Sequence, residues 1–338
     1  MNRVGSGVSR GGGDHVDDGS PRLAVLAGGV GASRFLLGLV EAAPRARITV
    51  IGNTGDDFVV HSLHVSPDLD SVTYALSGES DELRGWGMRD ESWRTLGRLA
   101  ELGEQSWFQV GDRDLATHLF RTERLRRGRS LSEVTAELAE RMGITVGLIP
   151  MSDQAVGTRI HTKDGRDLHV QEYLVREGCA PEIAGFEFRG AERARPAPGV
   201  LQALADADLV IIAPSNPVIS IGPILSVPGI RQAVVEAPQV VAVSPIVGGR
   251  AIKGPAVAML KALGLAPSPV GVAQYLAGLA GTLVIDREDA ALADGVLGEG
   301  AVPTVCDTMM VSREARRRLA AHVLAACSIG MGGGGEVG

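Results

Sequence analysis

Two carboxylate pairs, a glycine turn and a proline-flanked loop carry most of the chemistry that this 338-residue chain offers. Asp56 and Asp57 close the run Gly52-Asn53-Thr54-Gly55-Asp56-Asp57, and Asp68 and Asp70 stand in Ser66-Pro67-Asp68-Leu69-Asp70. Carboxylates combined with phosphate oxygens are a usual way to hold magnesium. Aspartates in such places also make turns and cap helices, and Asp70 would cap the run Ser71–Leu76. Gly28-Gly29-Val30-Gly31 lets backbone approach a phosphate, and a helix behind it presents free N–H groups and the positive end of its dipole. Arg34, in the first turn of that helix, adds a fixed positive charge. The spacing is neither GxGxxG nor a P-loop, so a plain tight turn is the competing explanation.

Three further segments follow the same logic. In Gly111-Asp112-Arg113-Asp114, Arg113 can meet an anion or stack on a planar ring, or form a local ion pair at a helix start. His118, just behind it, reads as a structural helix residue. Pro214-Ser215-Asn216-Pro217 and Ser220-Ile221-Gly222-Pro223 offer hydroxyls, an amide and free backbone N–H groups to oxygen ligands, or make a ligand-free proline turn. Ser244, Gly248, Gly249, Lys253 and Gly254 repeat the pattern one strand later. Trp86, Trp93 and Trp107 fall close together, packing their segment or walling a flat ligand. No spacing suggests a zinc site or a Ser-His-Asp hydrolase.

The elements that would position these residues alternate β and α. The apolar run Arg22–Ala27 reads as a buried strand, followed by the glycine turn and a helix over Phe35–Val40. Strands are expected at Ile48–Ile51, Asp208–Ala213, Val240–Val243, Thr282–Ile285 and Val302–Val305. Helices are expected at Leu201–Ala207 and Ser312–Ala326, the latter with Ser312 as N-cap. This predicts an α/β, Rossmann-like fold with a mainly parallel, doubly wound sheet. Asp81–Gly143 is charged and helical in pattern, whereas Thr158–Arg176 alternates like antiparallel strands turning at Gly165. The expected organisation is one α/β domain, 21–329, whose core (21–75 and 200–329) carries an insertion at about 76–199. Met1–Ser20 and Gly330–Gly338 read as tails, on composition.

Composition narrows the function classes. With 33 basic and 40 acidic side chains the net charge is −7, so no general attraction to nucleic acid or anionic membrane exists. Aromatics at 4% argue against a surface of stacking platforms. Cys179, Cys306 and Cys327 form neither a disulfide framework nor a CxxC pair, and no apolar run reaches membrane-helix length. A soluble, cytoplasmic protein is expected.

Six motifs in order give the chain a family likeness: Leu26-Ala-Gly-Gly-Val-Gly-Ala-Ser-Arg-Phe-Leu-Leu-Gly38, Asn53-Thr-Gly-Asp-Asp57, Ser66-Pro-Asp-Leu-Asp70, Gly85-Trp-Gly87, Gly111-Asp-Arg-Asp-Leu-Ala-Thr-His118 and Ala213-Pro-Ser-Asn-Pro-Val-Ile-Ser-Ile-Gly-Pro223. Over about residues 22–328 the sequence resembles the CofD-like 2-phospho-L-lactate transferases of coenzyme F420 biosynthesis, including the bacterial phosphoenolpyruvate-using members. The resemblance implies transfer from a GDP-linked three-carbon acid to the deazaflavin Fo, whose ribityl hydroxyl attacks phosphorus while GMP leaves. It implies that Asp70 contacts Fo and holds magnesium with Asp56, and that Arg113 contacts Fo. The donor's phosphates and guanosine would lie on Gly28, Gly29, Gly31, Arg34, Ser215 and Asn216. Small-molecule substrates, no nucleic-acid or membrane partner, and a homodimer complete the expectation. The donor acid stays open between phosphoenolpyruvate, phospholactate and phosphoglycerate. Two other classes share part of the pattern: regulatory proteins binding uridine-diphosphate sugars, and nicotinamide dehydrogenases.

Overall fold

A strand buried on both faces needs no polar side, which is why Arg22-Leu-Ala-Val-Leu-Ala27 reads as an unbroken apolar run. It forms β1 (Arg22–Ala27), and helix α1 (Gly29–Ala42) follows after the single residue Gly28. The computed structural model describes residues 19–251 and 254–327. Lys253 and the tail segments 1–18 and 330–338 lie outside the described residues.

The chain continues through β2 (Arg47–Gly52), a hairpin of β3 (Phe58–Val60) and β4 (Leu63–Val65), and α2 (Pro67–Leu76). Three helices come next: α3 (Arg94–Glu101), α4 (Asp112–Arg126) and α5 (Leu131–Arg141). Strand β5 (Gly147–Pro150) precedes an antiparallel sheet of β6 (Gly157–Thr162), β7 (Asp167–His169) and β8 (Ile183–Arg189). The second half alternates α6 (Val200–Ala205), β9 (Leu209–Ile212), α7 (Gly222–Ser226), α8 (Ile230–Val235) and β10 (Val240–Val243). A short ribbon of β11 (Ile246–Val247) and β12 (Arg250–Ala251) leads to α9 (Ala256–Ala262) and α10 (Pro269–Tyr275). The chain closes with β13 (Thr282–Asp286), α11 (Ala293–Gly298), β14 (Val302–Cys306) and α12 (Arg313–Ala326).

Seven of these strands form one parallel sheet in the order β14-β13-β10-β9-β1-β2-β5. The fold is therefore the expected α/β, Rossmann-like class. One face packs Phe35, Leu36 and Leu39 of α1 against Leu319 and Val323 of α12. The other packs Val200, Leu204, Ile224 and Leu260. From β1 the sheet grows outward through β2 and β5, then resumes on the other side of β1 with β9. That reversal makes a crevice beyond the carboxyl ends of β1 and β9, where open α/β sheets bind ligands.

Local departures from expectation have physical causes. Strand β5 lies inside the segment read as an insertion, yet it forms the edge of the main sheet beside β2. Helix α2 begins at Pro67 with Ser66 at the cap position, so Asp70 sits inside the helix and does not cap it. Proline at the first helical position costs no hydrogen bond there. The alternation expected over Thr158–Arg176 holds through the turn at Gly165 and stops at His169. Glu172–Arg176 is a π-helical turn.

Candidate active site

The glycine turn sits where the sheet order reverses, and other loops of the chain close on it. A side chain on Gly28 would overlap the Asp68 carboxylate and Ser220, and one on Gly31 would overlap the Pro214 carbonyl. Gly29 holds φ +72, a backbone shape natural to glycine. The Gly28 N–H donates to Ser215 Oγ at 3.2 Å, joining the β1 and β9 loops.

Asn53, fully buried at the end of β2, ties three loops together. Its Oδ1 accepts the Gly55 N–H at 2.8 Å, and its Nδ2 donates to Asp68 Oδ2 at 2.9 Å and to the Ile219 carbonyl at 3.2 Å. Asp68 thereby lies over the N-terminus of α1, where a negative charge is favoured. Asn216 is used locally: its Oδ1 accepts the N–H groups of Val218 (3.0 Å) and Ile219 (3.3 Å) and caps the next turn.

Asp56, Asp57 and Asp68 form an acidic pocket here. Burial raises the Asp56 pKa well above the usual carboxylate value, and the charges of Asp68 and Asp57 add to it. Asp68 is pushed up to about 6, chiefly by burial. Burial also raises Asp57, against the pull of hydrogen bonds from His64 Nε2 (2.9 Å) and Ser66 Oγ (2.8 Å) to its Oδ2. Oδ1 of Asp56 and Oδ1 of Asp57 are buried without a hydrogen-bond partner among the described residues. Buried oxygens of this kind are costly alone and are satisfied by a hard cation.

Asp70, expected from the family likeness to meet magnesium, pairs with an arginine of a later helix. Both its oxygens engage the guanidinium of Arg121, itself only 2% exposed, on α4. Asp70, Asp114 and His118 come within ligand distance of one another, but Arg121 already supplies the positive charge there. Arg121 also donates to the His64 carbonyl at 3.4 Å, and Thr122 Oγ1 accepts the His64 N–H at 2.8 Å. Helix α4 thus fixes the strand that carries His64.

Arg113 and Arg34 lie apart from the acidic pocket. Arg113 donates to Glu79 Oε2 at 2.8 Å and to the Arg89 carbonyl at 2.9 Å, so its ion pair is with Glu79 and not with the adjacent Asp112 or Asp114. Arg34 lines a small pocket with Ser33, Tyr74, Glu82, Trp86 and Arg316. The Ser244 hydroxyl turns back on its own loop, accepting from Ile246 N at 3.2 Å and donating to its carbonyl at 3.1 Å.

A cleft of about 680 Å³ opens beside Asp57, within the size range of small-molecule sites. Thr54, Phe58, His64, Gln154, Arg159 and His169 are among its lining residues. Phe58 faces the His169 ring at 5.5 Å and stacks on Trp107 at 6.1 Å, giving the cleft a flat wall. Trp86 and Trp93 pack with Arg84, whose guanidinium lies 5.0 Å from each ring. Asn53, Arg121 and Gln171 escaped the sequence reading. Asn53 at a strand end carried a usable signal, whereas Arg121 and Gln171 look like ordinary helix and strand residues until their distant partners are seen.

Comparison with known proteins bears on what this geometry does. A family model described as 2-phospho-L-lactate transferase CofD matches residues 23–326. A phosphoenolpyruvate transferase of Streptomyces avermitilis is 46% identical over 311 residues, covering 90% of this chain and 97% of the relative. A 2-phospho-L-lactate transferase of Methanosarcina acetivorans is 39% identical over 302 residues, covering 89% and 98%. A solved UPF0052-family protein of Bacillus halodurans matches with a TM-score of 0.59 at 18% identity, covering 90% of this chain and 100% of that one. That likeness speaks for the fold alone.

Proposed function

This chain belongs to the CofD family of 2-phospho-L-lactate transferases, and on that premise we propose its reaction in detail. It transfers a phosphoenolpyruvyl or 2-phospholactyl group from a GDP-linked donor to the ribityl hydroxyl of Fo, giving coenzyme F420-0 or its dehydro form. The hydroxyl oxygen bonds to the phosphorus that carries the acid, the bridging P–O bond breaks, and GMP leaves. The setting is the cytoplasm and the assembly a homodimer.

The observation that carries this reading is the convergence of the glycine turn, the Ser215 loop and the acidic pocket beside a flat-walled cleft. The donor's diphosphate belongs at the glycine turn and Ser215, and the deazaflavin ring belongs against Phe58 and His169. Asp57 borders the cleft and its raised pKa suits it to accept the hydroxyl proton.

Magnesium fits the acidic pocket, since unpartnered buried carboxylate oxygens are hard donors. When bound it would neutralise charge on the transferring phosphoryl group. We assign as its ligands Asp56, which offers an unpartnered oxygen, and Asp68, the carboxylate whose charge bears most strongly on Asp56, because Arg121 already neutralises Asp70. Positioning and charge neutralisation carry the chemistry without a covalent nucleophile.

Calorimetric titration tests the binding half of this reading. Fo and GDP should each bind, while Phe58→Ala should weaken Fo by about three- to tenfold, on the scale of one lost aromatic contact. GDP affinity should not move. No Fo binding, or preference for a uridine sugar nucleotide over GDP, would sink the proposal.

A further inference from the structure

We propose that Gln171 is a positioning residue for Asp56, fixing which carboxylate oxygen is offered to a divalent cation. The inference rests on the reading of the acidic pocket as a magnesium site. Gln171 follows β7, 115 positions further along the chain, and is 6% exposed. Its Nε2 donates to Asp56 Oδ2 at 3.0 Å, while Oδ1, equally buried, has no partner among the described residues. A carboxylate hydrogen-bonded through one oxygen favours the rotamer that keeps that bond, which orients the other oxygen.

Chemistry explains why glutamine suits this position. Asp57 and Asp68 already bring two further carboxylates to the pocket that Asp56 enters. A neutral N–H donor orients the Asp56 carboxylate without adding a charge. A lysine would compete with the cation, and a glutamate would add to the repulsion.

The antiparallel sheet braces the same loop twice more. The Thr158 N–H donates to the Gly55 carbonyl at 2.7 Å, and the His169 ring lies 5.5 Å from Phe58. Gln171 is tied back in turn, its own N–H donating to His169 Nδ1 at 3.2 Å. Two contacts from the sheet and one from Gln171 just behind it therefore hold Gly55–Phe58, so this segment serves the proposed metal loop as its outer support.

Magnesium titration of the full chain by calorimetry tests the proposal, alongside the melting temperature with and without magnesium. Gln171→Met keeps the length without the donor, and Gln171→Leu removes the donor with a compact apolar side chain, neither adding a charge. Both should weaken magnesium about tenfold or more, the usual scale for losing a residue that orients a ligand. The metal-free melting temperature should move little, and saturating magnesium should restore much of kcat. If Gln171→Met melts early, Gln171→Leu carries the test. Wild-type magnesium affinity in the variants overturns the role of Gln171 and leaves the cation site standing. A wild type that binds no magnesium and turns over fully in chelator overturns the cation site itself, and the proposal with it.

Discussion

At the scale of single residues, the pocket depends on which aspartate is already paired. Asp70 has Arg121, whereas Asp56 and Asp68 face each other's charge under partial or full burial. Asp68→Asn should therefore raise the magnesium needed for half-maximal rate and cut turnover about a hundredfold, the scale of one key electrostatic group. Asp70→Asn should act mainly on stability. A rate loss confined to Asp70→Asn would return the metal to that residue. The pH dependence has a defined sign. A carboxylate whose folded pKa is raised from 3.8 to about 6 removes stability as pH rises through that window. A cation recovers that stability only where the carboxylate is ionised. Magnesium should thus raise the melting temperature more at pH 7.5 than at pH 5, and an equal rise at both would contradict the site. Arg113 offers a cleaner contrast. Its ion pair with Glu79 is exposed, so Arg113→Lys should leave the thermal melt nearly unchanged, since such pairs contribute at most about 1 kcal/mol. Weaker Fo binding in that variant would support the contact implied by the family likeness, and unchanged affinity would remove it.

At the scale of elements, α4 and the antiparallel sheet grip the loops of the acidic pocket from two sides. The buried Arg121–Asp70 pair joins α4 to α2, and removing one partner leaves an uncompensated buried charge. Arg121→Met should cost about 3–5 kcal/mol in urea unfolding, and adding Asp70→Leu should recover much of it. A loss below 1 kcal/mol for the single variant would show that the pair is not buried in solution. These grips also mark how far the sequence could be read. The β1, β9, β10 and β13 strands were legible because burial on both faces writes them as apolar runs between turn residues. Strand β5 was not, being four residues that end in proline after a charged helix. The start of α2 was legible in principle, since Ser66-Pro67 is a helix-start signal, but the competing cap at Asp70 obscured it. Gln171 and Arg121 gave no local signal because their roles exist only through partners 115 and 51 positions away.

At the scale of the whole molecule, the position of the pocket follows from topology. A parallel sheet that grows both ways from β1 must open a crevice beside it, and the glycine turn, Asn53 and Ser215 meet there because they end β1, β2 and β9. With a net charge of −7 the chain as a whole does not draw anions, so the proposed diphosphate site depends on this local arrangement of backbone N–H groups and hydroxyls. Product analysis decides whether the chain performs this transfer. Wild type and Asp56→Asn are each incubated with magnesium, Fo and the GDP-linked donors of phosphoenolpyruvate, phospholactate and phosphoglycerate, and the mixture is resolved by mass spectrometry. The account predicts, with at least one donor, a deazaflavin heavier by the transferred phospho-acid, one GMP released per product, and a product rate lower by about a hundredfold in the variant. Fo recovered unchanged with all three donors, or a variant as fast as wild type, would contradict it.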